Sequence, residues 1–349
     1  MATQLRPPVP DYVPRGSTFD PDDWAILAKH WYPVALVREL GDKPVGTKLL
    51  DEPLVVYRAN GKIVVAGDIC PHRGVPLSLG TQTEAGVVCA YHGLRFGADG
   101  RCNHIPASPD RAAPDRMRVT TYPAVERYGL VWTCLRPEAG ADPVICPMPH
   151  WDDEGFQQIT CPWIDIHGFA GRQMEGFLDV AHFAFVHTAT FGDANNAEVP
   201  AYKAIKTEDG FYADYWSSVG NYPIGVEKGV PGFDWLRHFE CFLPFTATLT
   251  IHFPGKDRLV IMNAASPVSA KVTRLFAPIG RNFDTDRPVQ EVYDFNQRVF
   301  EEDKAIVEAQ MPECLPLDPM MEAHIPADMS SMAYRRGLKD MGLSRFFTA

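Results

Sequence analysis

The sequence predicts an α+β protein in two parts, a small all-β domain followed by an α+β domain. Three observations carry that expectation. Short apolar runs separated by Gly and Asn-Gly turns fill residues 34–135. A turn-rich, acidic stretch without periodicity, residues 136–155, then interrupts the pattern. Beyond it strand-like runs resume at residues 202–278, and one long helical pattern covers residues 288–310. The length of 349 residues agrees, since roughly 150 residues per domain gives about two. The expected domains are 1–145 and 146–349.

Residues 1–22 are Pro-rich and polar and read as an arm. A short apolar helix is expected over residues 24–31. The runs VALVREL, KLLDEPLVVYRANGKIVVAGDIC, GVVCAYHGLRF and GLVWTCL then read as strands, and Asn60-Gly61 is a hairpin signal. After the boundary come an apolar stretch and a helical segment around residues 172–187. FYADYWSSVG, HFECFLPFTATLTIHF, RLVIMNAASPV and KVTRLFAPIG are the strands of the second part. No internal repeat or low-complexity tract is present.

Composition excludes several classes. Hydrophobic residues make up 46% and charged residues 22%, which is ordinary globular usage. The net charge of −11 leaves no basic surplus to neutralise phosphates, so no nucleic-acid partner is expected. No apolar run approaches the ~18 residues that span a bilayer, so no membrane role is expected. MATQLRPPVPDYVPRG has no apolar core of signal-peptide type, so a cytoplasmic location is expected. The eight cysteines need not form disulfides in such a chain.

Two cysteines stand in ligand spacing with histidine. Cys70-Pro-His72-Arg-Gly and Cys89-Ala-Tyr-His92-Gly each offer one thiolate and one imidazole, with 16 residues between His72 and Cys89. Such a set suits tetrahedral zinc or a two-iron cluster with both histidines on one iron. Gly74 and Gly93 favour the cluster, because they let backbone N–H groups approach anionic sulfides. The nearby Cys102-Asn-His104 pair has no second half and reads as incidental.

CPHRGVPLSLG and CAYHGLRF resemble the Rieske [2Fe-2S] motif of Rieske-type non-haem iron oxygenases. The resemblance implies that Cys70 and Cys89 hold one iron, and His72 and His92 the other. Leu94 stands where many relatives carry Trp, a substitution familiar among the demethylating members.

The second constellation is Glu175-Gly-Phe-Leu-Asp179-Val-Ala-His182-Phe-Ala-Phe-Val-His187. On a continuous helix Glu175, Asp179 and His182 share one face. The gap from His182 to His187 puts the two imidazoles about 140° apart on a regular helix, so both face one metal only if the helix ends or bulges between them. Two imidazoles and one carboxylate make the facial triad of mononuclear Fe(II), with positions open for O2. Over residues 288–310, Val292, Phe295, Val299 and Ile306 form an apolar stripe on which Asp303 falls. Glu302, near the stripe's edge, is the second choice.

Glu-x3-Asp-x2-His-x4-His followed by FEEDKAIVEAQMP resembles the catalytic domain of the same oxygenases. The implied fold is an all-β Rieske domain, then an α+β catalytic domain with an antiparallel sheet flanked by helices. The implied iron ligands are His182, His187 and Asp303. Asp179 and Glu175 are the expected catalytic acids. Asp179 matches the acid that links His182 to a Rieske histidine of a neighbouring subunit, here His92. Gly176 stands where relatives often have Asn, a departure beside Glu175.

The family's chemistry needs a [2Fe-2S] cluster, mononuclear Fe(II), O2 and electrons from NAD(P)H. No G-x-G-x-x-G fingerprint is present, so a separate reductase, with or without a ferredoxin, is implied. A head-to-tail homotrimer is implied too. The closest resemblance is to the O- and N-demethylating branch, which acts on vanillate, dicamba or methylxanthines, so a small aromatic substrate and release of formaldehyde are expected. Ring hydroxylation or cis-dihydroxylation of an aromatic acid is the alternative, and a Rieske electron carrier without catalysis a remote one. In FTATLTIHF the apolar alternation buries one strand face. Phe245, Leu249, Ile251 and Phe253 on that face, with Ile261 on the next strand, are the candidate pocket lining.

Overall fold

Asn60 and Gly61 both adopt positive φ, 50° and 75°, and Ala59 pairs with Lys62. The hairpin is thus a two-residue turn whose twist matches its strands. The structure, a computed structural model, describes residues 13–217, 235–253 and 255–343. The first twelve residues of the Pro-rich arm, and the last three of the FYADYWSSVG run, lie outside them. The chain divides into two compact units, Met1–Ile145 and Cys146–Ala349.

The first unit is antiparallel β. Val45–Leu49, Glu52–Ala59, Lys62–Gly67 and Thr121–Tyr122 form one sheet in that order. Thr81–Thr83, Gly86–Val88, Arg95–Phe96 and Cys102–His104 form a second. A third joins Tyr32–Leu36 to Leu130–Thr133, with Ala124–Arg127 beyond. Val55, Tyr57, Ala59, Val64 and Ala66 face Val87, Phe96 and Cys102, and this core encloses Cys70 and Cys89. Helix α1, Pro21–Leu27, starts earlier than the 24–31 expected. The Asp20 carboxylate accepts the Asp22 N–H and Pro21 occupies the first turn, which together set the start upstream of the apolar residues.

The second unit is built on a nine-stranded antiparallel sheet. Its main path runs Gln157–Thr160, Pro278–Arg281, Arg258–Ser269, Thr246–His252, Trp235–Phe242, Gly210–Ser217, Ala204–Lys206. Val272–Phe276 and Ile164–Ile166 branch from Arg258–Ser269. Along Trp235–Phe242 alternate residues are buried, which puts Trp235, Arg237, Phe239 and Cys241 on one face. Leu249 lies opposite Phe239 and Ile261, so these share that face. Helix α2, Ala170–Leu178, covers it: the rings of Phe177 and Phe239 meet at 6.0 Å.

Two expectations about helices change. The segment 172–187 is not one helix, so Glu175, Asp179 and His182 do not share a helical face. Helix α2 stops at Leu178, Asp179 is extended (φ −77°, ψ 136°), and a single turn, α3, spans Phe183–Val186. The cause is local: an Asp179 carboxylate oxygen accepts the Ala181 N–H at 2.7 Å and competes with the helical ladder. Helix α4, Val289–Val307, buries Asn296, Phe300 and Val307 rather than the stripe through Ile306, which is 49% exposed. The helix is rotated because Phe300 and Val307 pack with Ile159, Ile166 and Ile279 of the sheet. Asp303 remains on the inner side, between Phe300 and Val307. The last helix, α5, is Met329–Asp340. Among the described residues no helix is long and apolar enough to cross a membrane.

Candidate metal centres

Two matching loops build the first centre. In one, the Cys70 N–H donates to Val75 O and the Gly74 N–H to Cys70 O, at 2.8 and 2.9 Å. In the other, the Cys89 N–H donates to Leu94 O and the Gly93 N–H to Cys89 O, at 2.9 and 3.0 Å. Each loop closes on a glycine with positive φ, 73° at Gly74 and 67° at Gly93, a conformation costly for other residues. The loops bury both thiols and leave the imidazoles outward, with His92 exposed and His72 half-buried.

His72 Nδ1 and His92 Nδ1 stand 3.2 Å apart. Burial pushes the Cys70 thiol up to about 11; the His72 N–H pulls it back and neighbouring Cys89 raises it further. A metal that takes the thiolate removes that penalty. A sulfur pair and a nitrogen pair, each drawn from both loops, fit a two-iron cluster with both histidines on one iron. Cys102 is buried with its thiol on His104 O at 3.4 Å, an ordinary core cysteine.

The second group is His182, His187 and Asp303. His182 Nε2 lies 3.2 Å from His187 Nε2, and Asp303 Oδ1 lies 3.6 and 3.1 Å from those two atoms. The break after α2 and the single turn of α3 bring the two imidazoles to one side. His187 O then accepts the N–H groups of Thr190, Phe191 and Gly192 at 2.7–2.9 Å, which anchors the end of the turn. A Cβ at Gly192 would stand 2.2 Å from Phe183 O, so only glycine fits.

Electrostatics point the same way. Burial alone would lower the His182 pKa, but the Asp179 and Asp303 carboxylates outweigh it and raise it to about 9. Burial would raise the Asp303 pKa, but His182 and His187 hold it below the usual range. The pocket therefore attracts positive charge. Two imidazoles and one carboxylate fit a divalent iron and leave coordination positions for other ligands.

Further carboxylates surround this trio. Asp179 Oδ2 lies 3.6 Å from His182 Nδ1. Glu302, the second choice for the ligand, is instead 2.7 Å from His187 Nδ1 and accepts the Thr190 hydroxyl at 2.7 Å. Glu175 belongs elsewhere. Its two oxygens accept Arg335 Nε and Nη2 at 2.6 and 2.8 Å, and Glu322 accepts from Arg335 and Arg172 at 2.5 and 2.7 Å. Glu175 thus sits in an ion-pair network that ties α2 to α5. Sequence reading missed it because Arg335 lies 160 positions away.

The candidate lining residues sit on the sheet face beneath α2 and α4. Phe245 packs on Phe169 at 5.6 Å, and Phe253 on Trp235 and Phe283 at 4.7 and 5.2 Å. Ile261 packs against the cluster that contains Ile279, Phe300 and Val307, and Ile251 lies opposite Arg237. Sequence reading singled out no cation here, yet Arg237 is fully buried on this face with its guanidinium 5.8 Å from the Tyr215 ring.

Comparison with known proteins finds a match for each of the two parts of the chain. Residues 30–123 match the Rieske [2Fe-2S] domain, and residues 171–343 the vanillate O-demethylase oxygenase C-terminal domain. The chain is 30% identical to the methylxanthine N1-demethylase NdmA of Pseudomonas putida, over 92% of this chain and 90% of that protein. It is 31% identical to the methylxanthine N3-demethylase NdmB of the same organism, over 93% and 92%. The solved structure of Pseudomonas putida CBB5 NdmA superposes with a TM-score of 0.77 at 30% identity, covering 91% of each chain. The chain therefore belongs to the Rieske-type non-haem iron oxygenases, as a Rieske domain followed by an oxygenase domain of the vanillate O-demethylase type.

Proposed function

We propose that this chain is the terminal oxygenase component of a demethylase that oxidises the N- or O-methyl group of a small aromatic or heteroaromatic substrate. The observation that carries the reading is the trio of His182, His187 and Asp303, in the same chain as the Cys70, His72, Cys89, His92 set. Similarity along nearly the whole length to two N-demethylases supports the choice of reaction. When loaded, the cluster supplies electrons singly and the mononuclear iron binds and activates O2. One methyl C–H becomes C–OH, and the carbon then leaves as formaldehyde, freeing N–H or O–H. The balance is one O2, two electrons and two protons per methyl, with one water formed. A separate NAD(P)H-dependent reductase, directly or through a ferredoxin, supplies the electrons.

In this reading Asp303, His182 and His187 hold the iron, and Asp179 faces the His182 Nδ1 at 3.6 Å. The other Asp179 oxygen is fixed by the Ala181 N–H. A head-to-tail homotrimer would let Asp179 meet His92 of the next copy. Leu249, Ile251 and Ile261 would bound the substrate side, with Phe245 and Phe253 supporting them from within the core.

The second reading is hydroxylation of an aromatic acid, favoured by one observation: the buried Arg237 on the same sheet face, since an arginine suits a carboxylate. The test is O2 uptake and formaldehyde release with a generic reductase across a panel of N- and O-methylated aromatics. Formaldehyde matching O2 consumed supports demethylation. Ring-hydroxylated acids or diols without aldehyde overturn it in favour of the second reading.

A further inference from the structure

Helix α4 reaches the trio with two consecutive carboxylates, and they do different things. Asp303 points between the two Nε2 atoms, at 3.1 and 3.6 Å. Glu302 reaches behind His187, to the Nδ1 on the far side of the ring, at 2.7 Å. His187 is 1% exposed, so no water competes for that nitrogen. The Thr190 hydroxyl donates to the same Glu302 oxygen at 2.7 Å, which fixes where the oxygen stands. Thr190 is itself held by its backbone N–H on His187 O at 2.9 Å.

A neutral imidazole carries one N–H and one lone pair, whereas a carboxylate only accepts. An acceptor at Nδ1 therefore assigns the proton to Nδ1 and the lone pair to Nε2, the atom facing Asp303. His182 is treated differently. Its Nδ1 faces Asp179 at the longer 3.6 Å, and Asp179 is also engaged by a backbone N–H. The two histidines thus have one tight and one loose carboxylate behind them.

We infer that Glu302 is a positioning residue of the iron centre, which with Thr190 locks His187 in the Nδ1–H tautomer and presents its Nε2 to the metal. Because Glu302 adjoins Asp303 on one turn, any movement of α4 carries the ligand and the orienting group together. The inference rests on the trio as the iron ligands.

The test measures Fe(II) binding by chelator competition on the full-length protein carrying its cluster. It adds the electron paramagnetic resonance spectrum of the nitric oxide adduct as a readout of coordination. Glu302→Ala is expected to weaken Fe(II) binding by about 10–100-fold, the range for loss of an outer partner, and to change the shape of the nitrosyl signal. Glu302→Gln keeps a carbonyl acceptor and is expected to stay within about threefold of the unaltered protein. Thr190→Val, which leaves Glu302 in place, is expected to fall between them. Unchanged affinity and spectrum in Glu302→Ala overturn the inference, and so does a loss in Glu302→Gln as large as that in Glu302→Ala. If His182→Ala binds iron normally, the ligand assignment fails first, so the two failures are distinguishable. Retained cluster absorption in each variant shows that the chain has folded.

Discussion

The two centres are assembled in opposite ways. All four donors of the first come from loops 20 residues apart at their histidines, each loop closed by its own backbone hydrogen bonds. The donors of the second come from segments separated by 115 residues or more, and helix α4 must pack on the sheet before Asp303 meets the histidines. The first leaves His92 exposed, whereas the second buries His187 to 1% exposure. The first relies on thiols in an apolar core, and the second places Asp179, Glu302 and Asp303 around two imidazoles. A site made of local loops tolerates rearrangement elsewhere, whereas a site spanning two elements is as stable as their packing.

That contrast is open to direct attack, and the largest effect comes from removing ligands. Asp303→Ala is expected to lose mononuclear iron and turnover by more than the roughly 100-fold ceiling for outer partners, yet keep the visible absorption of the cluster. Cys89→Ser is expected to do the reverse, losing that absorption while chelator-accessible Fe(II) still binds. Loss of both signals in either variant would break the independence of the centres.

A smaller effect tests the packing behind the second centre. Arg335→Met removes both short hydrogen bonds of buried Glu175, leaves it only Arg172 at 3.6 Å and leaves half-buried Glu322 to Arg172 alone, and is expected to cost about 3 kcal/mol. Thermal unfolding should shift down accordingly while cluster absorption at room temperature is unchanged. An unchanged midpoint would remove the network from the account.

Two glycines sharpen the comparison further. Gly192→Ala puts a Cβ against Phe183 O and is expected to cost about 1–3 kcal/mol, with weaker iron binding. Gly74→Ala meets no atom within 4 Å and suffers only its positive φ, about 1–2 kcal/mol, with no change in iron binding. Iron loss in Gly74→Ala, measured by the same chelator competition, would contradict the separation.

The smallest effect is a pH dependence. Burial alone would raise the Glu322 pKa, but Arg172 and Arg335 hold it below the ordinary value. A depressed folded pKa means stability that is present above the unfolded pKa and lost as pH falls through the folded one. Glu322→Gln is therefore expected to be less stable at neutral pH and to show a shallower decline below about pH 4. Parallel declines in chemical denaturation at pH 7 and pH 3.5 would show that Glu322 does not contribute.

Much of this was legible before folding. The strands of the first unit follow alternation and turn chemistry, and Asn60-Gly61 announces its hairpin because positive φ suits those residue types. Cys70, His72, Cys89 and His92 were legible as a donor set because ligand spacing within a loop is a property of the chain alone. His182, His187 and Asp303 were legible as a donor set, with the condition that a helix be interrupted. Glu302 drew attention only as a rival ligand, and Thr190, Arg237 and Arg335 drew none, since nothing near each in sequence marks it.

By itself the sequence determined which chemistries were available: two thiols and two imidazoles in one half, two imidazoles and several acids in the other. Only the tertiary structure decided which acid serves which partner. Helix α2 breaks where Asp179 captures the Ala181 N–H, α4 turns until Phe300 and Val307 meet the sheet, and these two events send Asp303 to the trio and Glu302 behind His187. Glu175 goes to Arg335 instead. The physical reason is that a carboxylate's role is set by the nearest cation or N–H in space, and for Glu302 and Glu175 that partner lies more than a hundred residues away along the chain.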